Sequence, residues 1–280
     1  MKIHFTKMHG IGNDYIYINC MGGMDFDPSD LAVKMSPRHF SVGADGVVCI
    51  CSSEYADARM RMFNADGSEG AMCGNATRCI GKYLYERGIV KKREMTLQTE
   101  SGIKKLSLDI EDGRVRSIAV DMGEISFDPA KIPAVKEMID CPAEIGGKTY
   151  GITALSVGNP HAVVFCDDPY SVDLEKVGPL FENSELFPER VNTEFVHVND
   201  DGSLTMRVWE RGSGETWACG TGACAAASAA VKLGFCSAGK PVTVRLRGGD
   251  LTVTCAERVI MRGPAEFVYD GVYEYEDKNK

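Results

Sequence analysis

Two cysteines of this chain stand in matching surroundings. The stretches MCGNATRC (residues 72–79) and ACGTGACA (residues 218–225) each place Cys-Gly at the head of a helix-like run. A cysteine at a helix N-terminus sits among unpaired backbone N–H groups at the positive end of the helix dipole. That setting stabilises a thiolate and can bring its pKa from about 8.5 into the range of roughly 3.5–7.5. The glycine that follows lets a ligand approach the backbone, and the same N–H groups can hold a carboxylate. Cys73-Gly74 and Cys219-Gly220 are therefore each a candidate base with an anion cradle beside it.

Opposed thiols suit the inversion of a carbon stereocentre. One, as thiolate, takes a proton from one face of the carbon. The other, as thiol, delivers a proton to the opposite face. The carbanion beside a carboxylate spreads charge onto its oxygens, where two helix starts would stabilise it. This chemistry needs no cofactor in principle. No full G-x-G-x-x-G or P-loop occurs, and Gly10-Ile11-Gly12 alone is a weak signal. The absence of C-x-x-C and H-E-x-x-H argues against a zinc site, so no metal is expected. On the residues alone, two other readings stay open. One is a dithiol cycling to a disulfide with a reductant partner. The other is a small-molecule-binding protein that does no chemistry.

The elements that must position the cysteines repeat. Taking 73 from 219 gives a shift of 146, and the same ungapped shift carries Gly12-Asn13 onto Gly158-Asn159, Met60-Arg61 onto Met206-Arg207, Phe63 onto Trp209 and Glu69 onto Glu215. Each half reads as strands, a turn-rich loop, a helix and further strands. Strands are expected at 45–51 and 58–63, then a helix over 74–87 stopped by Gly88. The second half gives a strand at 205–210 and a helix over 220–233 stopped by Gly234. Further strands are expected at 95–99, 105–110, 242–247 and 250–255. The second helix is almost all Ala, without a polar face, so it should be buried on most sides. The expected fold class is α+β: two pseudo-symmetric domains, each a mostly antiparallel sheet or barrel around a central helix. The expected domains are 1–120, carrying Cys73, and 121–265, carrying Cys219, with 266–280 packing back onto the first.

Composition bounds the setting. The 280 residues carry 31 basic and 40 acidic side chains, a net charge of −9, with no basic stripe for a nucleic acid. The start MKIHFTKMHG lacks the apolar core of a signal peptide, and no apolar run is long enough for a membrane span. Eleven cysteines, an odd number in a long chain, fit reduced thiols in a cytoplasmic setting. Cys79 and Cys224, further along the two helices, read as core.

The segments HGIGNDY (9–15), FNADGSEGAMCGN (63–75), GNPHAVV (158–164) and ERGSGETWACGTGACA (210–225) together resemble the diaminopimelate epimerase family. They cover most of the chain in order. Proline racemases and hydroxyproline epimerases share the two-cysteine plan but typically carry Cys-Gly-His first, where this chain has Cys73-Gly74-Asn75. The resemblance implies a cytoplasmic, homodimeric, cofactor-free epimerase interconverting LL- and meso-2,6-diaminoheptanedioate in lysine and peptidoglycan precursor biosynthesis. It implies Cys73 and Cys219 as the acid/base pair, with His161 and Glu210 tuning their pKa values. Gly74, Asn75, Gly220 and Thr221 would hold the reacting carboxylate. Asn13, Asn64, Asn159, Asn192 and Arg211 would grip the substrate, with Glu210 beside its amino groups. Without the resemblance, the asparagines could each simply shape turns. Two positions depart from the family pattern: Gly46 stands where many members have a substrate-contacting Gln, and Ala76 where Gly is usual after Cys-Gly-Asn.

Overall fold

The computed structural model describes residues 1–276 and divides the chain into two compact units, Asp121–Arg262 and Met1–Val120 joined by the stretch from Gly263. The fold is α+β, and in each unit strands surround one long buried helix.

The first unit opens with a hairpin of β1 (Lys2–Gly10) and β2 (Asn13–Cys20), joined by Ile11 and Gly12 at φ +50° and +88°. Positive φ at both central residues matches a tight hairpin turn to the right-handed strand twist. For a β-branched residue such as Ile11 that backbone is strained. The turn is anchored by burial of the Ile11 side chain, and it starts β2 at Asn13. Helix α1 (Pro28–Met35) follows, capped by Asp27, whose carboxylate accepts from the Ser29 and Asp30 N–H groups. Then come β3 (Gly46–Cys51), β4 (Ala58–Asn64), the short β5 (Glu69–Gly70), α2 (Gly74–Glu86), β6 (Glu94–Thr99), β7 (Gly102–Glu111) and β8 (Arg114–Gly123).

The second unit runs β9 (Cys141–Ile145), β10 (Lys148–Ser156), β11 (Pro160–Phe165), α3 (Leu174–Glu182), β12 (Asn192–Val198), β13 (Leu204–Glu210), β14 (Gly214–Thr216), α4 (Gly220–Lys232), β15 (Pro241–Leu246), β16 (Gly249–Cys255) and β17 (Val259–Gly263). A last strand, β18 (Glu266–Glu274), pairs antiparallel with β1, from His9↔Glu266 to Lys2↔Glu274. Of the segment 266–280 expected to return to the first half, residues 277–280 lie outside the described residues.

Adding 146 to the bounds of β1, β4 and α2 gives those of β10, β13 and α4. The pairings repeat too. β2 and β3 are parallel with Ile16↔Val47, and β11 and β12 are parallel with Ala162↔Thr193. Beyond the long helix the shift grows by one: Ala58↔Leu97 in β4–β6 becomes Leu204↔Val244 in β13–β15. Those crossover pairs are parallel, and the other strand pairs within each unit are antiparallel.

Helix α4 packs against β10, β11, β12, β13, β15 and β16, and Gly222 through Ala230 are all buried. Strands on so many sides leave room only for small side chains, which is why the helix is written in Ala. Helix α2 is buried from Gly74 to Leu84, yet it carries Arg78 and Lys82. Their charged ends are satisfied inside. Arg78 donates to Pro264 O at 3.1 Å and to Asn75 Oδ1 at 2.9 Å, and Lys82 donates to Val115 O at 2.9 Å. Cys79 and Cys224 are fully buried in these two helices, as their reading as core expects. Cys79→Ala and Cys224→Ala should each lower stability by about 1–3 kcal/mol through lost packing. Denaturant unfolding measures that, and turnover should stay near the parent's.

One close approach in the second unit is tested by a single methyl group. A Cβ on Gly178 of α3 would lie 2.3 Å from Cδ2 of the Trp209 ring. The ring is held by a hydrogen bond from its Nε1 to Glu182, at 2.7 Å, and has little room to yield. Gly178→Ala should therefore destabilise the protein by about 1–3 kcal/mol. An unchanged urea midpoint would contradict this packing.

Candidate active site

Each cysteine of interest is the N-cap of its unit's buried helix. Cys73 caps α2 with φ −133° and ψ 120°, and Cys219 caps α4 with φ −120° and ψ 108°. Extended backbone at the cap, followed by glycine, opens the first-turn N–H groups of both helices. All eleven cysteines are free thiols.

Around Cys219 the polar groups come from three strands. The Gly222 N–H donates to its sulfur at 3.3 Å, and the Thr221 hydroxyl lies 3.5 Å from it. Asn159, just before β11, donates to Thr221 Oγ1 at 3.4 Å, and its Oδ1 meets His161 Nε2 at 3.1 Å. The other ring nitrogen, Nδ1, meets Glu194 of β12 at 2.7 Å, and both side chains are fully buried. Glu210 ends β13 and accepts from Thr216. Burial pushes the Glu210 carboxyl up, against the pull of hydrogen bonds from Thr216 and Cys219. Burial likewise pushes the Cys219 thiol well above its ordinary value, reinforced by Glu210 and Glu194, while Thr221 and the Gly222 N–H act in the opposite sense.

Cys73 has different company. It is half-buried, and its thiol donates to Asn13 Oδ1 at 3.3 Å. Asn13 in turn donates to Asp45 at 2.7 Å. Asp45 lies beside Asp14, which is paired with Lys7 and Arg38. Burial alone would raise Asp14, but Arg38 and Lys7 hold it below the usual carboxylate range. Burial and the neighbouring Asp14 charge raise Asp45. Subtracting 146 from 161, 194 and 210 gives Tyr15, Val48 and Asn64, so the first unit carries none of the second unit's titratable groups at the matching positions.

The remaining residues expected at the site sit close to the cysteine loops of their own units. Asn64 closes its turn, donating to Ser68 Oγ at 3.0 Å. Asn75, buried behind Cys73, accepts from Arg78. Asn192 is buried and ties two segments together, donating to Pro160 O at 3.1 Å and accepting from the Arg211 N–H at 2.8 Å. The Arg211 side chain is exposed, with Nη1 donating to Glu189 O at 2.9 Å. The loop that carries it is pinned by Glu182, which accepts from the Gly212 N–H at 2.9 Å.

One of the two departures from the family pattern has a local cause. A Cβ on Gly46 would lie 2.0 Å from the Phe63 carbonyl oxygen, because Gly46 pairs directly with Asn64. A side chain there is excluded by backbone, not by lack of use. Ala76 is buried in a regular first turn of α2. Its counterpart Gly222 must stay Gly, since a Cβ would lie 2.8 Å from Glu194 Oε1 and 3.2 Å from the Cys219 sulfur.

Three features escaped sequence reasoning: Glu194, the buried Arg78, and the Lys7–Asp14–Arg38–Asp45 network. For Glu194 a signal existed. It lies two residues after Asn192 on a strand, so the two share a face.

Fold and site together define a class. The structure resembles a phenazine biosynthesis protein of the PhzF family from Bacillus anthracis, with TM-score 0.71 and 19% identity over 98% of this chain and 100% of that one. It also resembles a hydroxyproline epimerase from Agrobacterium vitis, with TM-score 0.70 and 17% identity over 99% and 94%. At such identities the likeness is one of fold. Sequence narrows it further. The diaminopimelate epimerase family profile matches residues 5–127 and 153–268. The diaminopimelate epimerase of Acetivibrio thermocellus is 50% identical over 275 residues, covering 96% of this chain and 98% of the relative. That of Methanococcus maripaludis is 46% identical over 273 residues, covering 95% and 98%. This chain belongs to the diaminopimelate epimerase family.

Proposed function

We infer that this protein is an isomerase, a two-base epimerase that interconverts LL- and meso-2,6-diaminoheptanedioate without a cofactor, as a step toward lysine and peptidoglycan precursors. The observation that carries the reading is the pair of buried, cysteine-capped helices in repeat register, in a chain of this family.

Cys73 and Cys219 are the two proton carriers, one as thiolate and the other as thiol in each direction. First-turn N–H groups at Gly74-Asn75 and Gly220-Thr221 hold the reacting carboxylate and take up the charge that develops on its oxygens. Asn13, Asn64, Asn159, Asn192 and Arg211 grip the substrate, with Glu210 beside its amino groups. His161 and Glu210 set the protonation of the cysteines. The test is direct. Purified protein incubated with LL-diaminopimelate in deuterium oxide should produce the meso isomer with deuterium at the inverted carbon. A binding protein or a redox dithiol would incorporate none.

Thiols that serve one carbon come close, and thiolate character favours disulfide exchange. Exposure to oxidant should therefore inactivate the enzyme through a Cys73–Cys219 disulfide, and reductant should restore it. Peptide mapping of the inactive protein checks this, and a different pairing would count against the shared site.

A cytoplasmic homodimer is part of the same reading. Among the described residues no helix is long and apolar enough to cross a membrane. Strand β18 presents Val268, Tyr269 and Val272 about half exposed, apolar side chains on an outer strand that a second copy would cover. Light scattering should give a mass near twice that of the chain, and Tyr269→Glu should shift it toward the monomer.

A further inference from the structure

Glu194 is a buried carboxylate with no part in the roles above. Its Oε1 meets His161 Nδ1 at 2.7 Å, and its Oε2 is buried without a hydrogen-bond partner among the described residues. Such a group is costly to ionise unless a positive charge accompanies it. His161 is the adjacent cation former, and its other nitrogen faces the Asn159 carbonyl oxygen at 3.1 Å. With acceptors at both ring nitrogens, hydrogen-bond accounting calls for N–H at both.

The consequence runs on to the sulfur. Asn159 spends its carbonyl on the ring and its amide on Thr221 Oγ1, at 3.4 Å. The Thr221 hydroxyl proton is then left to point at Cys219, 3.5 Å away. We propose that Glu194 is a positioning residue: by accepting from His161 Nδ1–H it leaves Nε2 to donate to Asn159 and thereby, through Asn159 and Thr221, aims a hydroxyl donor at the Cys219 sulfur in its thiolate state. The inference rests on the reading of Cys219 as a proton carrier for substrate.

The internal repeat argues against a merely architectural role. The first unit builds the matching strand with Val48 in place of Glu194 and Tyr15 in place of His161, and both are buried. The fold therefore does not need the pair. Crowding of Gly222 against both Glu194 and Cys219 places the carboxylate beside the sulfur's own helix turn.

Glu194→Gln separates this chain of hydrogen bonds from simple charge. Gln can still accept from Nδ1–H, but without the carboxylate Nε2 turns from donor to acceptor. The Asn159 amide turns to donate to it, and the Thr221 hydroxyl turns to the Asn159 carbonyl. Thr221 then offers Cys219 only a lone pair, which suits S–H and not S⁻, and the Gly222 N–H is the donor that remains. The titratable groups around Cys219 are His161 on β11, Glu194 on β12 and Glu210 on β13.

The experiment measures alkylation of substrate-free protein by iodoacetamide across pH, read separately at Cys73 and Cys219 by peptide mass spectrometry. Glu194→Gln should move the Cys219 midpoint up by about one pH unit and leave Cys73 in place. Thr221→Val should give the same shift, Thr221→Ser should keep the parent midpoint, and the double variant Glu194→Gln/Thr221→Val should add nothing further. kcat/KM should fall about tenfold in both directions, since the equilibrium constant ties them together. A downward shift in Glu194→Gln would mean that the carboxylate acts only as an anion near the thiol. That result, no shift, or additive shifts would overturn the proposal. If Glu194→Gln fails to fold, the Thr221 pair still decides. Failure of the parent to epimerise diaminopimelate would instead sink the functional reading, with the alkylation midpoints still readable.

Discussion

Cys73→Ala and Cys219→Ala should each abolish interconversion of LL- and meso-diaminopimelate, with kcat falling by at least about 10³-fold, near the upper part of the range for a lost general acid or base. Each thiol caps its own helix in its own company: Cys73 donates to Asn13, and Cys219 lies against Thr221, a backbone N–H and the Glu210 carboxyl. Removing one leaves one face of the carbon without a donor. The surviving cysteine can still take the α-proton from the isomer that faces it, exchange it with solvent and return it to the same face. Each variant should therefore exchange deuterium into only one stereoisomer, with retention, and the two variants should select opposite isomers. Exchange into both isomers by either variant, or near-parent turnover, would defeat the two-base mechanism.

Arg211→Met should lower kcat/KM for diaminopimelate by roughly 10²–10⁴-fold. In the proposed site the reacting carboxylate is held by backbone N–H groups, which any amino acid could use, so discrimination has to come from the end that does not react. Arg211 is exposed beside the cysteine loop, and its Nη1 is bonded to a backbone carbonyl. Its fork suits a bidentate pair with the distal carboxylate. Each charge-assisted bond contributes about 1.5–3 kcal/mol, or roughly ten- to 150-fold. Lysine, alanine and proline, which lack that carboxylate, should be poor substrates for the parent, because they leave polar groups of the site unpaired. Racemisation of proline or alanine at comparable rates would overturn the substrate assignment. A fall confined to diaminopimelate, with residual turnover of the poor substrates unchanged, would place Arg211 at the distal end.

Much of this was legible in the order of residues. The two Cys-Gly helix starts, the 146-residue shift and the stops at Gly88 and Gly234 are local signals, and local signals survive in sequence. The Ala run of α4 announced burial because no polar face could be drawn on it. Helix α2 hid the same burial, since it carries Arg78 and Lys82. Only the carbonyls of Pro264 and Val115, remote in the chain, make those charges tolerable inside.

The sequence by itself determined the groups on offer: two thiols in equivalent positions, a Gly-opened helix start beside each, and a polar set near both. Tertiary structure alone decided how unlike the two positions are. Pairing β11 in parallel with β12 sets His161 opposite Asn192 and brings Glu194 within 2.7 Å of the imidazole, while the same pairing in the first unit delivers Tyr15 and Val48 to the matching places. Spacing along a chain encodes periodicity and turns. It does not encode which side chains two non-adjacent strands bring face to face, and the buried carboxylates beside Cys219 are brought there only by that pairing.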